Sequence, residues 1–443
     1  MKRIFALSLG LALTLAASAP LSAQWSVLQP GSPNMKVLSH LPLGAALSVA
    51  DMDMEQEMDR PYVYIARMVY GERGPKGTDI ISIADPENPE LLYEWRIENQ
   101  DLHQRTGGMD VKHFKLNDRY YVVQSLQFGQ GGPDNDLGAV VLDVTGLPDP
   151  STVREVARIR NTDSPGGFHN IFIYVHTSGK VLLITTLRAD YAAVYDLEMV
   201  VEGDLDNAMI AQIPNPNAGG GGYHDFYAAY HPDTDSDRFY GGGSGGYYVY
   251  DITDLDTPDL VVSLTGISGV SSGHTFTPTP DGNFVVAETE YQYAPLRIFD
   301  LRPALEGQVS NIGRPISAWT ADWRNLAHNH EMRWPYVFVS GYRDGLQVFS
   351  MMDPEHPVTV GYYDTLSETP YNGEAGPVFD GAFGVDVRNA DGLIVVSDMS
   401  TGLWTFKMDG FQGWNGEQWG MPNISSAQNW DSPPKRLIGD DGR

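Results

Sequence analysis

Four histidines recur along this chain at nearly equal intervals. They are His169, His224, His274 and then His328 or His330, at steps of 55, 50 and 54 or 56 residues. Each of the first three closes a four-residue stretch that opens on small residues: Gly166-Gly167-Phe168-His169, Gly221-Gly222-Tyr223-His224 and Ser271-Ser272-Gly273-His274. The fourth stretch is Ala327-His328-Asn329-His330. Read the same way, Gly107-Gly108-Met109-Asp110 puts Asp110 in the slot, Gly381-Ala382-Phe383-Gly384 puts Gly384 there, and the first copy offers Ala46. Neutral imidazoles brought to one point are a common way to hold Fe, Cu, Zn or Ni. Such ligands need carboxylates or other acceptors on their outer nitrogens, and Asp110, Asp225, Glu288, Glu290 and Glu331 are near enough in sequence to serve. The competing reading is that these histidines only cap strands and bond to backbone carbonyls and water. The two readings differ in whether the nitrogens converge.

Other chemistry is thinner. Asp233-Thr234-Asp235-Ser236-Asp237 alternates carboxylates as a Ca²⁺ loop does, but a full EF-hand loop needs Gly at its sixth position and Glu at its twelfth. Arg238 and Ser244 stand there, so the segment reads better as a solvated turn between strands. Nucleophile-elbow and phosphate-loop signatures are absent, and His330-Glu331-Met332 lacks the second histidine of a zinc-protease helix. His40, His103, His113, His176, His231 and His356 fall out of phase, in turns or on other strands, and read as surface or structural residues.

What could hold the four histidines in one register is a repeat. Residues 325–365 contain apolar runs at 336–340, 346–351 and 358–363, cut by Gly341–Gly345 and by Asp353-Pro354-Glu355-His356-Pro357, with a leading strand over 328–332. Short Val-, Tyr- and Phe-rich runs between Gly and Asp-Pro turns are strands, and four in about forty residues suit one propeller blade. The third strand recurs with Ser82, Asp143, Asp196, Asp251, Asp300, Ser350 and Lys407 in equivalent places, at steps of 61, 53, 55, 49, 50 and 57 residues. Seven copies predict an all-β, seven-bladed β-propeller, since a closed ring leaves no exposed sheet edge. The seventh copy lacks a fourth strand, and residues 35–41 supply the missing one at the N-terminus, closing the ring. In a propeller the first strand of each blade lines the central channel, which is where the histidines fall.

The segment Asp344-Gly345-Leu346-Gln347-Val348-Phe349-Ser350-Met351-Met352-Asp353-Pro354-Glu355-His356-Pro357 resembles the signature of the LVIVD-repeat family, and residues 80–89 and 401–408 do so more loosely. The resemblance spans residues 35–408. It implies a β-propeller on exported bacterial proteins and no single activity, because the motif is a structural strand-turn unit.

Met1-Lys2-Arg3, the apolar run 4–17 and the small residues at Leu21-Ser22-Ala23 read as a secretory signal peptide over 1–23. The run is shorter than the roughly 20 residues of a membrane span, so a periplasmic or extracellular soluble chain is expected. Residues 24–408 form the propeller, and 409–443, with Trp414, Trp419 and Trp430, form an irregular tail expected to pack over one face. The chain holds no Cys, which excludes disulfides and thiolate chemistry. A net charge of −28 argues against nucleic acid and anionic membranes as partners and in favour of solubility or cations.

Two functions follow. One is a His-ligated transition metal (Fe, Cu or Zn) on the axis, at His169, His224, His274 and His328 or His330, serving oxidative chemistry on a small molecule. Ca²⁺ is the lesser possibility. The alternative is a non-catalytic binding or scaffold propeller that grips an extracellular protein or polysaccharide through rim aromatics such as Tyr70, Tyr291 and Tyr293.

Overall fold

The structure, a computed structural model, describes residues 30–104, 106–128, 131–217, 221–366, 378–415 and 428–431. The proposed signal peptide and Trp419 lie outside these residues. Seven antiparallel four-stranded sheets make a β-propeller, accompanied by two short helices, Leu197–Glu202 and Arg302–Leu305. The innermost strands, blade by blade, are Val49–Met54, Gly107–Leu116, Ile171–Val175, Tyr223–His231, Phe276–Pro278, Asn329–Arg333 and Ala382–Val387. Blade seven continues through Ile394–Asp398 and Gly402–Met408, and its outermost strand is Met35–Leu41, running antiparallel to Gly402–Met408.

Position in the blade sets composition. Val49–Met54 and Ile171–Val175 are buried along their whole length, because neighbouring blades cover both faces. Outer strands such as Arg154–Arg160 alternate charged, exposed residues with buried ones, which keeps the rim soluble and its edges unattractive to other chains. Between blades four and five the packing is aromatic: Phe276 lies 5.8 Å from Tyr240 and 5.0 Å from Tyr247, ring centre to ring centre.

Two devices shape the channel wall. The first is the small residue before each inner strand. Gly167 and Gly222 have φ of +78° and +77°, and an added Cβ would stand 1.9 Å from the Leu126 carbonyl oxygen and 2.1 Å from that of Ala189. Only Gly both adopts that backbone and lets the neighbouring blade approach so closely. The second is a register shift just inside the strand. It falls between Tyr223 and Asp225 in blade four, Ala382 and Gly384 in blade seven, and Gly108 and Val111 in blade two. A bulged residue is freed from the ladder and can be aimed elsewhere.

Hydroxyls on the second strands fix which residues are equivalent. Ser125, Ser340 and Ser397 donate to the carbonyl oxygens of His169, Phe383 and Ala50 in the next blade, at 3.4, 2.7 and 2.7 Å. His169, Phe383 and Ala50 therefore share one tier. This corrects the sequence register by one residue in blade seven, where Phe383 rather than Gly384 holds the slot, and by four in blade one, where it is Ala50 rather than Ala46. In blade two Met109 lines the histidine cavity while Asp110 lines the next one along the axis.

The described part of the tail crosses the far end of the ring. The Trp414 indole donates to the Trp334 carbonyl at 3.0 Å, Gln428 bonds to both Ile173 and Val175, and Trp430 lies 5.7 Å from the ring of His113.

Candidate metal centre

Four of the five predicted histidines stand side by side around the axis. Ring centres are 4.6 Å apart for His169 and His224, 4.3 Å for His224 and His274, and 5.1 Å for His274 and His328. His330 does not join them. Two residues further along its strand, it is buried and lines the next cavity along the axis.

The outer nitrogens are anchored. His328 Nδ1–H donates to the Phe383 carbonyl at 2.6 Å, and His169 Nδ1–H to Gln127 Oε1 at 3.1 Å. His274 Nδ1 lies 2.9 Å from the Thr275 hydroxyl and 3.4 Å from Glu288. That hydroxyl has one proton and three acceptor oxygens within reach, those of Asp225 and Asn329 at 2.8 Å and the His328 carbonyl at 3.2 Å. It donates to one of these and accepts from His274. In three of the four rings the proton is thus held at Nδ1, leaving the Nε2 lone pair free.

One of those lone pairs, that of His274, meets a carboxylate, and so does Nε2 of His224. Glu290 Oε2 lies 3.7 Å from His274 Nε2 and 4.0 Å from His224 Nε2, while its other oxygen accepts a hydrogen bond from the Tyr342 hydroxyl. Among the described residues, His224, His274 and Glu290 are a group whose donor atoms all lie within 4.8 Å of one another. His274 Nε2 and His224 Nδ1 are buried with no hydrogen-bond partner. A buried polar atom left unpaired costs about 1–3 kcal/mol, so a ligand on His274 Nε2 relieves a real penalty.

Electrostatics agree. Burial holds the His169 imidazole down at about 4 and that of His328 at about 3. Burial, added to by their neighbours' imidazoles, holds His224 and His274 well below the ordinary range. All four are neutral near pH 7 and can donate electron pairs. Burial pushes Glu290 up to about 7 against the opposing bond from Tyr342, and raises Glu288 well above the carboxylate range, with repulsion from Glu290 adding to it. Ionising either acid here is costly, and a bound cation would offset that cost.

The histidine tier opens on a cavity of about 190 Å³, whose other walls include Met68, Met109, Met399, Phe379, Phe383 and Tyr342. Beneath it a smaller polar cavity of about 50 Å³ is lined by Asp51, Asp110, Asp225, Lys112 and Asn329 together with His330, Glu331 and Asp386. Lys112 Nζ stands 2.9 Å from Asp110 and 3.8 Å from Asp51, and Asn329 donates to Asp51 at 2.8 Å. Of the carboxylates proposed to orient the imidazoles, Glu288 and Glu290 do face them, and Asp225 reaches His274 through Thr275. Asp110 pairs with Lys112, and Glu331 pairs with Arg333 at 2.8 Å.

Met109, Phe383, Tyr342 and Gln127 escaped the sequence reading. The first two were hidden by the one-residue bulge. Tyr342 and Gln127 lie on or beyond second strands, where no spacing signal marks a residue that reaches the axis. The Asp233–Asp237 segment ends in a hairpin whose acids face different neighbours. Asp235 accepts from Tyr230 at 2.8 Å, and Asp237 is surrounded by Tyr174, Thr177 and His176. His103 and His113 are structural partners of Asp134 and Asp53, at 3.0 and 2.5 Å.

No helix among the described residues is long and apolar enough to cross a membrane. The chain matches no family model and no curated protein, so the likeness to LVIVD repeats rests on the strand-turn residues alone.

Proposed function

We propose that this propeller is an exported metalloprotein, with one first-row transition ion (Fe, Cu or Zn) held on its axis by His169, His224, His274 and His328, with Glu290 beside it. The observation that carries this reading is the set of anchored Nδ1 atoms at His169, His274 and His328 around a carboxylate and an unpaired buried nitrogen. Imidazole with one carboxylate is a donor set that suits Fe, Cu and Zn. When bound, such an ion supplies Lewis-acid or, for Fe and Cu, one-electron chemistry to a small molecule in the adjoining cavity. The protein's part is to keep the imidazoles neutral and oriented, to hold a proton on or off Glu290 near pH 7, and to exclude bulk water with Met and Phe side chains.

The test is elemental analysis of full-length protein purified without a His-tag. About one ion per chain is expected, lost in His224→Ala and His274→Ala and retained in His330→Ala and His356→Ala. Absence of stoichiometric metal in the parent protein, or its full retention in His224→Ala, overturns the proposal.

One observation favours the alternative, a binding module that grips a protein or polysaccharide. Tyr293 and Trp323 are 55 % and 58 % exposed and meet edge to face on one rim, ring centres 5.1 Å apart, an exposed aromatic patch of the kind that marks a binding surface. Metal-free protein that still bound such a polymer would favour it.

A further inference from the structure

The cavity above the histidines has a chemistry of its own. Met68, Met399, Phe383 and Met109 are 0, 1, 5 and 7 % exposed and form its walls. Tyr70, 45 % exposed, stands at its mouth with Phe379 6.1 Å away in an edge-to-face contact. Among the described residues none of the lining side chains is a Lys or an Arg, and Glu290 is the one formal acid. In the metal-free protein an anion would enter without a counter-charge and meet Glu290 in a chain that already carries −28. The volume of about 190 Å³ is a little larger than an apolar cavity of about 150 Å³ that takes benzene. Methionine side chains are polarizable and adapt to the face of a flat ring. Tyr342 occupies only one oxygen of Glu290, leaving Oε2 turned toward His224 and His274 as an acceptor for a donor on the guest.

We infer that the cavity takes a small, neutral, monocyclic phenol, its ring against Met68, Met399 and Phe383 and its hydroxyl toward Glu290 and the histidines. As a substrate assignment this rests on the metal reading; as a binding site it does not. In the metal-free protein a carboxylate-bearing ring of the same size is rejected by charge.

The experiment is calorimetric titration of the full-length, untagged protein with phenol and with benzoate, before and after chelator treatment. Phenol is expected to bind at one site per chain, and in the chelator-treated protein at least tenfold more tightly than benzoate. Met399→Trp fills the cavity and is expected to weaken phenol at least tenfold while leaving the metal content unchanged. Met68→Trp does the same from another wall, should Met399→Trp fail to fold. Equal binding of benzoate and phenol by the chelator-treated protein, or wild-type phenol binding in a folded Trp variant, overturns the assignment. Metal without phenol binding overturns it too and leaves the metal proposal standing. Phenol binding by a parent protein that proves metal-free upholds the pocket and sinks the metal proposal instead.

Discussion

His113 and the four axial histidines show how neighbours decide what an imidazole does. Burial lowers all of them, but His113 faces Asp53 at 2.5 Å with Glu55 and Asp386 behind it, and these carboxylates outweigh burial and hold it up at about 9. Trp430 and Tyr64 pack near the His113 ring, while Asp53 also lines the polar cavity on the axis. The folded value lies above the ordinary 6.5, so the stabilisation is complete below pH 6.5 and lost as pH rises through about 9. It is worth about 3 kcal/mol at most. In urea unfolding at a series of pH values, the stability gap between wild type and His113→Gln is expected to narrow from pH 6.5 to 9. Parallel curves would refute the pairing. From sequence His113 reads correctly as structural, because it is out of phase with the axial slot. Its partner, sixty residues away in another blade, had no local signal.

At the scale of strands, the first segment of the propeller and the last depend on each other. Met35–Leu41 pairs along Leu403–Met408. Ser39 ties it further to Thr405 at 2.7 Å and to the Pro86 carbonyl of blade one at 2.8 Å. Removing residues 35–41 strips that edge and uncovers unpaired backbone on Gly402–Met408. The truncated chain is expected to lose cooperative thermal unfolding or to aggregate, and a melting curve like that of the full chain would show that this strand matters little. Strand existence was legible because hydrophobic alternation and Asp-Pro turns are local. The bulges that moved the slot from Asp110 to Met109 and from Gly384 to Phe383 were not. A bulge is a mismatch between two strands, and neither strand encodes it alone.

The whole chain carries 57 acidic residues against 29 basic ones. Part of that excess is spent inside, in the polar cavity where Lys112 sits between Asp110 and Asp51, and the rest repels across the surface. Salt screens the surface repulsion, since the Debye length falls from about 30 Å at 0.01 M to about 10 Å at 0.1 M. The melting temperature is therefore expected to rise by several degrees between 10 mM and 300 mM NaCl, as read by calorimetry. A fall would mean that attractive surface pairs such as Arg158–Glu98 outweigh the net charge.

The period near fifty residues, the turn chemistry and the four in-phase histidines are properties of the chain read in order, and they determine the propeller and the tier on which chemistry gathers. Convergence is a different kind of fact. That Glu290 faces His224 and His274, that Gln127, Thr275 and the Phe383 carbonyl hold the Nδ1 protons, and that His330 falls into the acidic cavity all depend on ring closure. Closure brings residues of different blades within a few ångströms and sets which way each bulged side chain turns. Sequence spacing reports which residues share a layer. Only the closed ring decides which of their atoms point at one another.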